Sequence, residues 1–190
     1  MVKRQIKLGL FIKLPGQHVA SWRDPSANTK NIFDLDYLTQ IAQKAEQAKF
    51  DTIFFADVFG SEVRENSFNS LRLDPVVLIS ALAAVTKNIG LTATATTTYN
   101  DPFHIARKFN AINHLSKGRA AWNVVTSANE REALLFGKEK HLPHADRYER
   151  AEEFVEAVKQ LWFSIDHETV VADKENGRLI DVSKVYPVNY

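Results

Sequence analysis

The sequence contains no cysteine. Its absence excludes a disulfide framework, a cysteine-ligated zinc site and a thiol nucleophile, and it fits a reducing compartment. Long apolar runs are also missing. The stretch Leu8 to Ile12 is only strand length, and no segment approaches the roughly 20 apolar residues of a membrane helix. Met1 to Lys7 carries charges with no apolar run after it long enough for a signal peptide. Nor is there an excess of one charge: 24 Lys and Arg face 23 Asp and Glu, a formal net charge of +1. That balance gives no electrostatic reason to expect nucleic acid or an anionic membrane as a partner. No GxGxxG follows the first apolar run and no GxxxxGK[ST] occurs, which counts against Rossmann and P-loop sites. No HExxH or paired-carboxylate motif stands out, so no metal is expected. A soluble, cytoplasmic protein is expected.

What is present is an alternation of short apolar and longer amphipathic segments. Ile6 to Ile12 reads as a first strand. Asp34 is placed to cap a helix over about 35–48, with Leu38, Ile41, Ala42, Ala45 and Ala48 at helical spacing. Thr52 to Ala56 is a short strand, apolar enough to be covered on both faces. Asp74-Pro75 and Asp101-Pro102 each open a helix, with aspartate at the cap and proline in the first turn. Ile89 to Thr98 and Arg119 to Val125 read as third and fourth strands, the latter after a Lys117-Gly118 turn. Ser127 to Phe136 is a polar loop or short helix. Asp146 is expected to cap a long helix to about Trp162, leaving His144 in the preceding loop. The tail from Ser164 is polar, with no clear core pattern after Val171.

Serial βα units predict parallel strands with right-handed crossovers, in either a doubly wound sheet or a (β/α)8 barrel. In a barrel the loops after the strands gather at one face, where active sites lie. Here those loops hold His18 and Trp22, then Asp57 and Arg64, then Tyr99 and Asn100, then Thr126, Ser127 and Asn129. A barrel takes roughly 250 residues, so a chain of 190 is expected to hold only part of one.

Four segments in order carry a family resemblance: Phe54-Phe55-Ala56-Asp57, Thr97 through Arg107, Asn113 through Ser127 with its Asn-Val-Val-Thr-Ser run, and His144-Ala145-Asp146-Arg147-Tyr148-Glu149-Arg150-Ala151. Together they resemble the bacterial-luciferase-like flavin-dependent monooxygenases, in the branch of nitrilotriacetate, sulfone and pristinamycin enzymes. The resemblance implies an α/β (β/α)8 TIM barrel of which the first half to two-thirds is present. Residues 1–163 would be its N-terminal βα units, and 164–190 the start of an insertion region in a chain truncated relative to the family. It also implies an oxygenase component that takes FMN as FMNH2 from a separate NAD(P)H-dependent flavin reductase, uses O2 to oxygenate a small-molecule substrate, and forms a homo-oligomer. A deazaflavin-dependent oxidoreductase of the same superfamily is an alternative, against which the Asn-Val-Val-Thr-Ser run argues. So is a non-catalytic remnant, or a half-barrel that needs a complementary chain.

By the same resemblance the cofactor-binding residues are Asp57, Thr94, Ser127, His144 and Tyr148. Each has a plainer reading. Asp57 could be a solvated loop carboxylate or a helix cap. Thr94 sits in a row with Thr92, Thr96 and Thr98 on one face of a strand, where threonine is common for its β-propensity alone. Ser127 could be a helix N-cap. His144 and Tyr148 are four apart and could converge on one ligand, or be structural residues at a helix start. Asn123 is read as structural, and Arg147 and Arg150 as surface or ion-pair residues. His18 and Trp22 are candidates to shape a substrate pocket.

Overall fold

The computed structural model describes residues 5–59 and 71–189; Arg64 lies outside them. Four strands, β1 (Gly9–Ile12), β2 (Thr52–Phe55), β3 (Gly90–Thr96) and β4 (Ala120–Val125), form one parallel sheet in chain order. Between them run α1 (Leu35–Gln47), α2 (Pro75–Val85) and α3 (Pro102–Ser116), and after β4 come α4 (Arg131–Leu135) and α5 (His144–Phe163). A separate antiparallel pair, β5 (Val170–Asp173) and β6 (Arg178–Ile180), follows.

The aspartates start three helices as their spacing predicts. Asp34 accepts from the Tyr37 amide at 2.8 Å, Asp74 from those of Val76 and Val77, and Asp101 from that of Phe103. Each such cap satisfies amides that the helix itself leaves unpaired and contributes about 1 kcal/mol. The Lys117-Gly118 turn ends α3: both residues have positive φ, and the Gly118 amide reaches the Asn113 carbonyl at 2.8 Å. The expectation for α5 needs correcting. Its cap is Pro143 in an extended conformation, so His144 is the first helical residue and Asp146 lies inside the first turn. There a carboxylate is still favoured by the helix dipole, which is why Asp146 looks like a start signal.

Strand alternation separates two faces. Ile53, Leu91 and Ala93 are fully buried against α1, α2 and α3, in a core that also takes Leu38, Ile79, Leu82, Phe109, Phe154 and Val158. Each fully buried aliphatic there contributes roughly 1.5–3 kcal/mol. The alternate residues face the other way: Phe11 stacks on Phe54 at 5.1 Å, Thr52 bonds Thr92, and Thr94 and Thr96 follow along β3.

At the amino-terminal ends of the strands two charged side chains hold the α2–β3 connection. Glu46 of α1 accepts from the amides of Lys87, Asn88 and Ile89 at 2.8, 2.5 and 2.9 Å. Arg119 uses every guanidinium N–H: Nε to the Ser116 carbonyl, Nη1 to Thr86 Oγ1 and the Ile89 carbonyl, and Nη2 to the carbonyls of Ala83 and Thr86, all between 2.7 and 3.0 Å. Arg119 thereby ties α2, α3 and the starts of β3 and β4 together.

Candidate functional site

The opposite, carboxyl-terminal ends of β2, β3 and β4 open into a cleft of about 740 Å³, within the usual size range for small-molecule sites. Asp57, two residues past β2, lies on one wall with Val58 and Phe59. Thr94 and Thr96 lie on β3, and Val125, Thr126 and Ser127 carry β4 into the cleft. Tyr148 and Ala151 of α5 close another side. Four of the five residues singled out from sequence, Asp57, Thr94, Ser127 and Tyr148, therefore line one cavity. His144 does not line it, but its ring packs on that of Tyr148 with centroids 4.7 Å apart.

Ser127 has φ +56, a left-handed conformation that a non-glycine residue adopts at a cost. Its surroundings hold it there. Its carbonyl accepts from Arg147 Nη1, its hydroxyl lies 2.5 Å from Glu132 Oε2, and the same hydroxyl lies 2.9 Å from Thr96 Oγ1. Ser127 is thus no helix cap; Asn129 is the residue whose side chain bonds the Arg131 amide. Thr94 is equally constrained: its hydroxyl donates to the Phe55 carbonyl at 3.0 Å and accepts from Asn123 Nδ2 at 2.9 Å. Asn123, read from sequence as structural, bonds the side chain of Thr94 and so orients it.

Of the two arginines of α5, Arg150 is exposed as expected, but Arg147 corrects the expectation. Arg147 is not a surface residue: it is 9% exposed and anchors Ser127. Arg150 donates to the carbonyls of Thr97 and Asn100 and so fixes the β3–α3 turn. A sign of this was legible in retrospect. Arg147, Ala151, Phe154 and Val158 recur at helical spacing, so Arg147 extends the buried stripe of α5 by one turn. Glu132, 1% exposed at the second position of the short α4, has no such signal, since the loop between it and Ser127 carries no periodicity that sets which way its side chain turns.

Burial pushes the Asp57 carboxyl above the ordinary aspartate range; the Val58 amide and Arg72 oppose the shift, and Asp74 and Glu132 add to it. Burial also raises Tyr99, with Glu132 reinforcing and Arg147 opposing. The Tyr99 hydroxyl bonds His141 Nδ1, and its ring stacks flat on Phe136 at 4.5 Å. Two buried nitrogens, His141 Nε2 and Arg147 Nε, have no partner among the described residues. His18 and Trp22 do not line the cleft; the His18 ring bonds the Ala20 amide. Among the described residues no group of three or more metal-ligating side chains occurs, and no helix is long and apolar enough to cross a membrane.

Val58, Phe59, Val124 and Val125 line the cleft with apolar side chains, while Asp57, Thr94, Ser127, Glu132, Glu152, Glu156 and Lys159 bring polar or charged ones. A family model described as luciferase-like monooxygenase matches residues 14–181. N-acetyl-S-(2-succino)cysteine monooxygenase of Bacillus subtilis is 50% identical over 99% of this chain and 43% of its own length. Nitrilotriacetate monooxygenase component A of Aminobacter aminovorans is 41% identical over 98% of this chain and 44% of its own length. The solved structure of a riboflavin lyase with modified FMN and riboflavin superposes with a TM-score of 0.89 at 34% identity, over 98% of this chain and 44% of that one. The chain thus spans less than half the length of the curated relatives it matches. Its four parallel βα units correspond to part of a TIM barrel of the luciferase-like type.

Proposed function

The chain belongs to the luciferase-like monooxygenase family, and on that premise we propose that its cleft holds FMN in its reduced form, as part of a two-component oxygenase. The observation that carries this is the convergence of Asp57, Thr94, Ser127 and Tyr148 on one cavity at the carboxyl ends of β2, β3 and β4, the face where barrel enzymes place their chemistry. When bound, reduced FMN would supply two electrons to O2, one oxygen atom going to the substrate and the other leaving as water.

The chain's own residues bind and orient. Apolar Val58, Phe59, Val124 and Val125 exclude water from the ring. The raised Asp57 carboxyl keeps its proton to a higher pH than an ordinary aspartate, and its Oδ1 is engaged by the Val58 amide. That arrangement leaves Oδ2 to hold or give a proton at the edge of the cleft. Tyr148, backed by His144, offers a hydroxyl from the α5 side. A separate flavin reductase would deliver the reduced cofactor, in keeping with the component A designation of the Aminobacter relative. The substrate is a small organic molecule. Residues 1–163 make up the barrel units, and residues 164–190, whose β5–β6 pair stands outside the parallel sheet, begin an insertion. The full-length activity rests on the same reading.

Anaerobic titration of the purified chain with FMN and with photoreduced FMN, followed by flavin fluorescence and absorbance, tests it. Binding in the micromolar range is expected, weakened in Ser127→Ala and Asp57→Asn. Absence of binding at millimolar flavin would refute it.

A second reading has its own support. Among the described residues β1 and β4 each have only one neighbour in the sheet, and Phe11 on the inner face is 44% exposed. Open edges of this kind favour pairing with another chain, which would make this a non-catalytic half that functions only beside a complementary one. Size-exclusion chromatography of the chain alone separates the two: a stable monomer that binds flavin supports the first reading, a flavin-free self-associated species the second.

A further inference from the structure

A serine hydroxyl carries one proton, so it cannot donate to two acceptors at once. Ser127 Oγ lies 2.5 Å from the buried Glu132 carboxylate and 2.9 Å from Thr96 Oγ1. The carboxylate is the stronger acceptor and the shorter contact, so it takes the Ser127 proton in preference to Thr96. What Ser127 has left for the cleft is a lone pair. Thr94 reaches the same state by another route: its proton goes to the Phe55 carbonyl and its remaining capacity is to accept. Two hydroxyls that could have served either role are thus both set as acceptors.

Arg147 completes the arrangement. By donating to the Ser127 carbonyl from within α5 it fixes the left-handed backbone that aims Oγ between Glu132 and Thr96. Both Glu132 and Arg147 exert their charges on Tyr99, so two buried side chains of opposite type stand in the same region, with Glu132 itself among the residues that line the cleft.

We propose that Glu132 is a positioning residue that holds the Ser127 hydroxyl as a hydrogen-bond acceptor toward the cleft, and that this polarity selects reduced flavin over oxidised flavin. The inference rests on the flavin reading above. The chemistry is general: oxidised isoalloxazine carries bare ring nitrogens that need donors, whereas two-electron reduction adds ring N–H groups that need acceptors. A wall whose hydroxyl protons are tied back into the protein satisfies the second and leaves the first unpaired, and unpaired polar groups discriminate more strongly than extra contacts do.

The test is the ratio of dissociation constants for FMN and reduced FMN, measured anaerobically on the 190-residue chain and on Glu132→Gln. The glutamine amide can present either oxygen or NH2 to Ser127, which frees the serine proton to turn toward the ligand. The wild-type chain is expected to favour reduced FMN, and E132Q to lower that preference about tenfold, the scale of one well-placed hydrogen bond. If E132Q weakens both forms by the same factor, its role is merely structural and the inference is overturned. Equal binding of both forms by the wild type overturns it while the flavin reading stands; binding of neither overturns both. Should E132Q fail to fold by circular dichroism, Ser127→Ala takes its place: it must lower the preference to a similar extent, and an unchanged ratio refutes the proposal. In the double variant the two effects are expected not to add, because both act through one hydroxyl.

Discussion

At the amino-terminal ends of the strands, Glu46 and Arg119 direct most of their hydrogen bonds at backbone groups of neighbouring elements. At the carboxyl-terminal ends, Asp57 lies in a cleft with its carboxyl pushed up by burial, Ser127 is held in a left-handed conformation, and one buried nitrogen each of His141 and Arg147 lacks a partner among the described residues. The same kinds of side chain do opposite things. One end uses charge to join units; the other holds polar groups short of full satisfaction beside an open cleft. In barrels the first end governs stability and the second chemistry, and the difference can be measured on single residues.

The largest effect is expected at the lower end. Arg119→Ala removes five hydrogen bonds and leaves the carbonyls of Ala83, Thr86 and Ile89 without that donor. A loss of about 3 kcal/mol or more is expected, read by urea denaturation. If stability is unchanged, the lower end is not the anchor described. Next, Ser127→Ala is expected to weaken flavin binding about tenfold while shifting the urea midpoint little; a large stability loss with unaltered binding would erase the contrast between the ends. Third, Glu46→Gln keeps the shape but not the charge, and about 1 kcal/mol is expected to be lost at pH 7.

The pH dependence of the two acids sharpens the comparison further. Burial alone would raise Glu46, but the amides of Asn88, Ile89 and Lys87, helped by Arg119, outweigh it and hold the carboxyl below the ordinary value. Its stabilisation is therefore present above the unfolded glutamate pKa and disappears as pH falls through the lower folded value. The gap between wild type and E46Q should close on acidification. Asp57 runs the other way. Its folded pKa is raised, so the fold is favoured by protonation, and that advantage is lost as pH rises from the unfolded aspartate value through the folded one. Asp57→Asn is accordingly expected to raise the melting temperature slightly at neutral pH, by about 1–3 °C, and to have no effect in acid. A loss of stability at neutral pH would show that the carboxylate is instead structurally required.

Much of this was legible in the sequence because it is local. An aspartate before a proline caps a helix whatever surrounds it, and Asp74 and Asp101 do so here. Alternation within β3 placed Thr94 and Thr96 on one face. What was not legible depends on partners far apart in the chain. Arg119 serves residues 30 to 36 positions earlier, and nothing in its immediate neighbours announces it. Arg147 was taken for a surface group because arginine near a helix start is commonly solvated, whereas its place one turn before Ala151 turns it inward. The cap of α5 lies three residues earlier than expected because Asp146 carries a cap-like side chain inside a turn that Pro143 begins.

The order of strands in the sheet repeats their order in the chain. Every pairing in it joins a strand to the one synthesised just before, with no later segment threaded between earlier ones. A nascent chain leaving a ribosome can therefore settle each unit onto a finished predecessor.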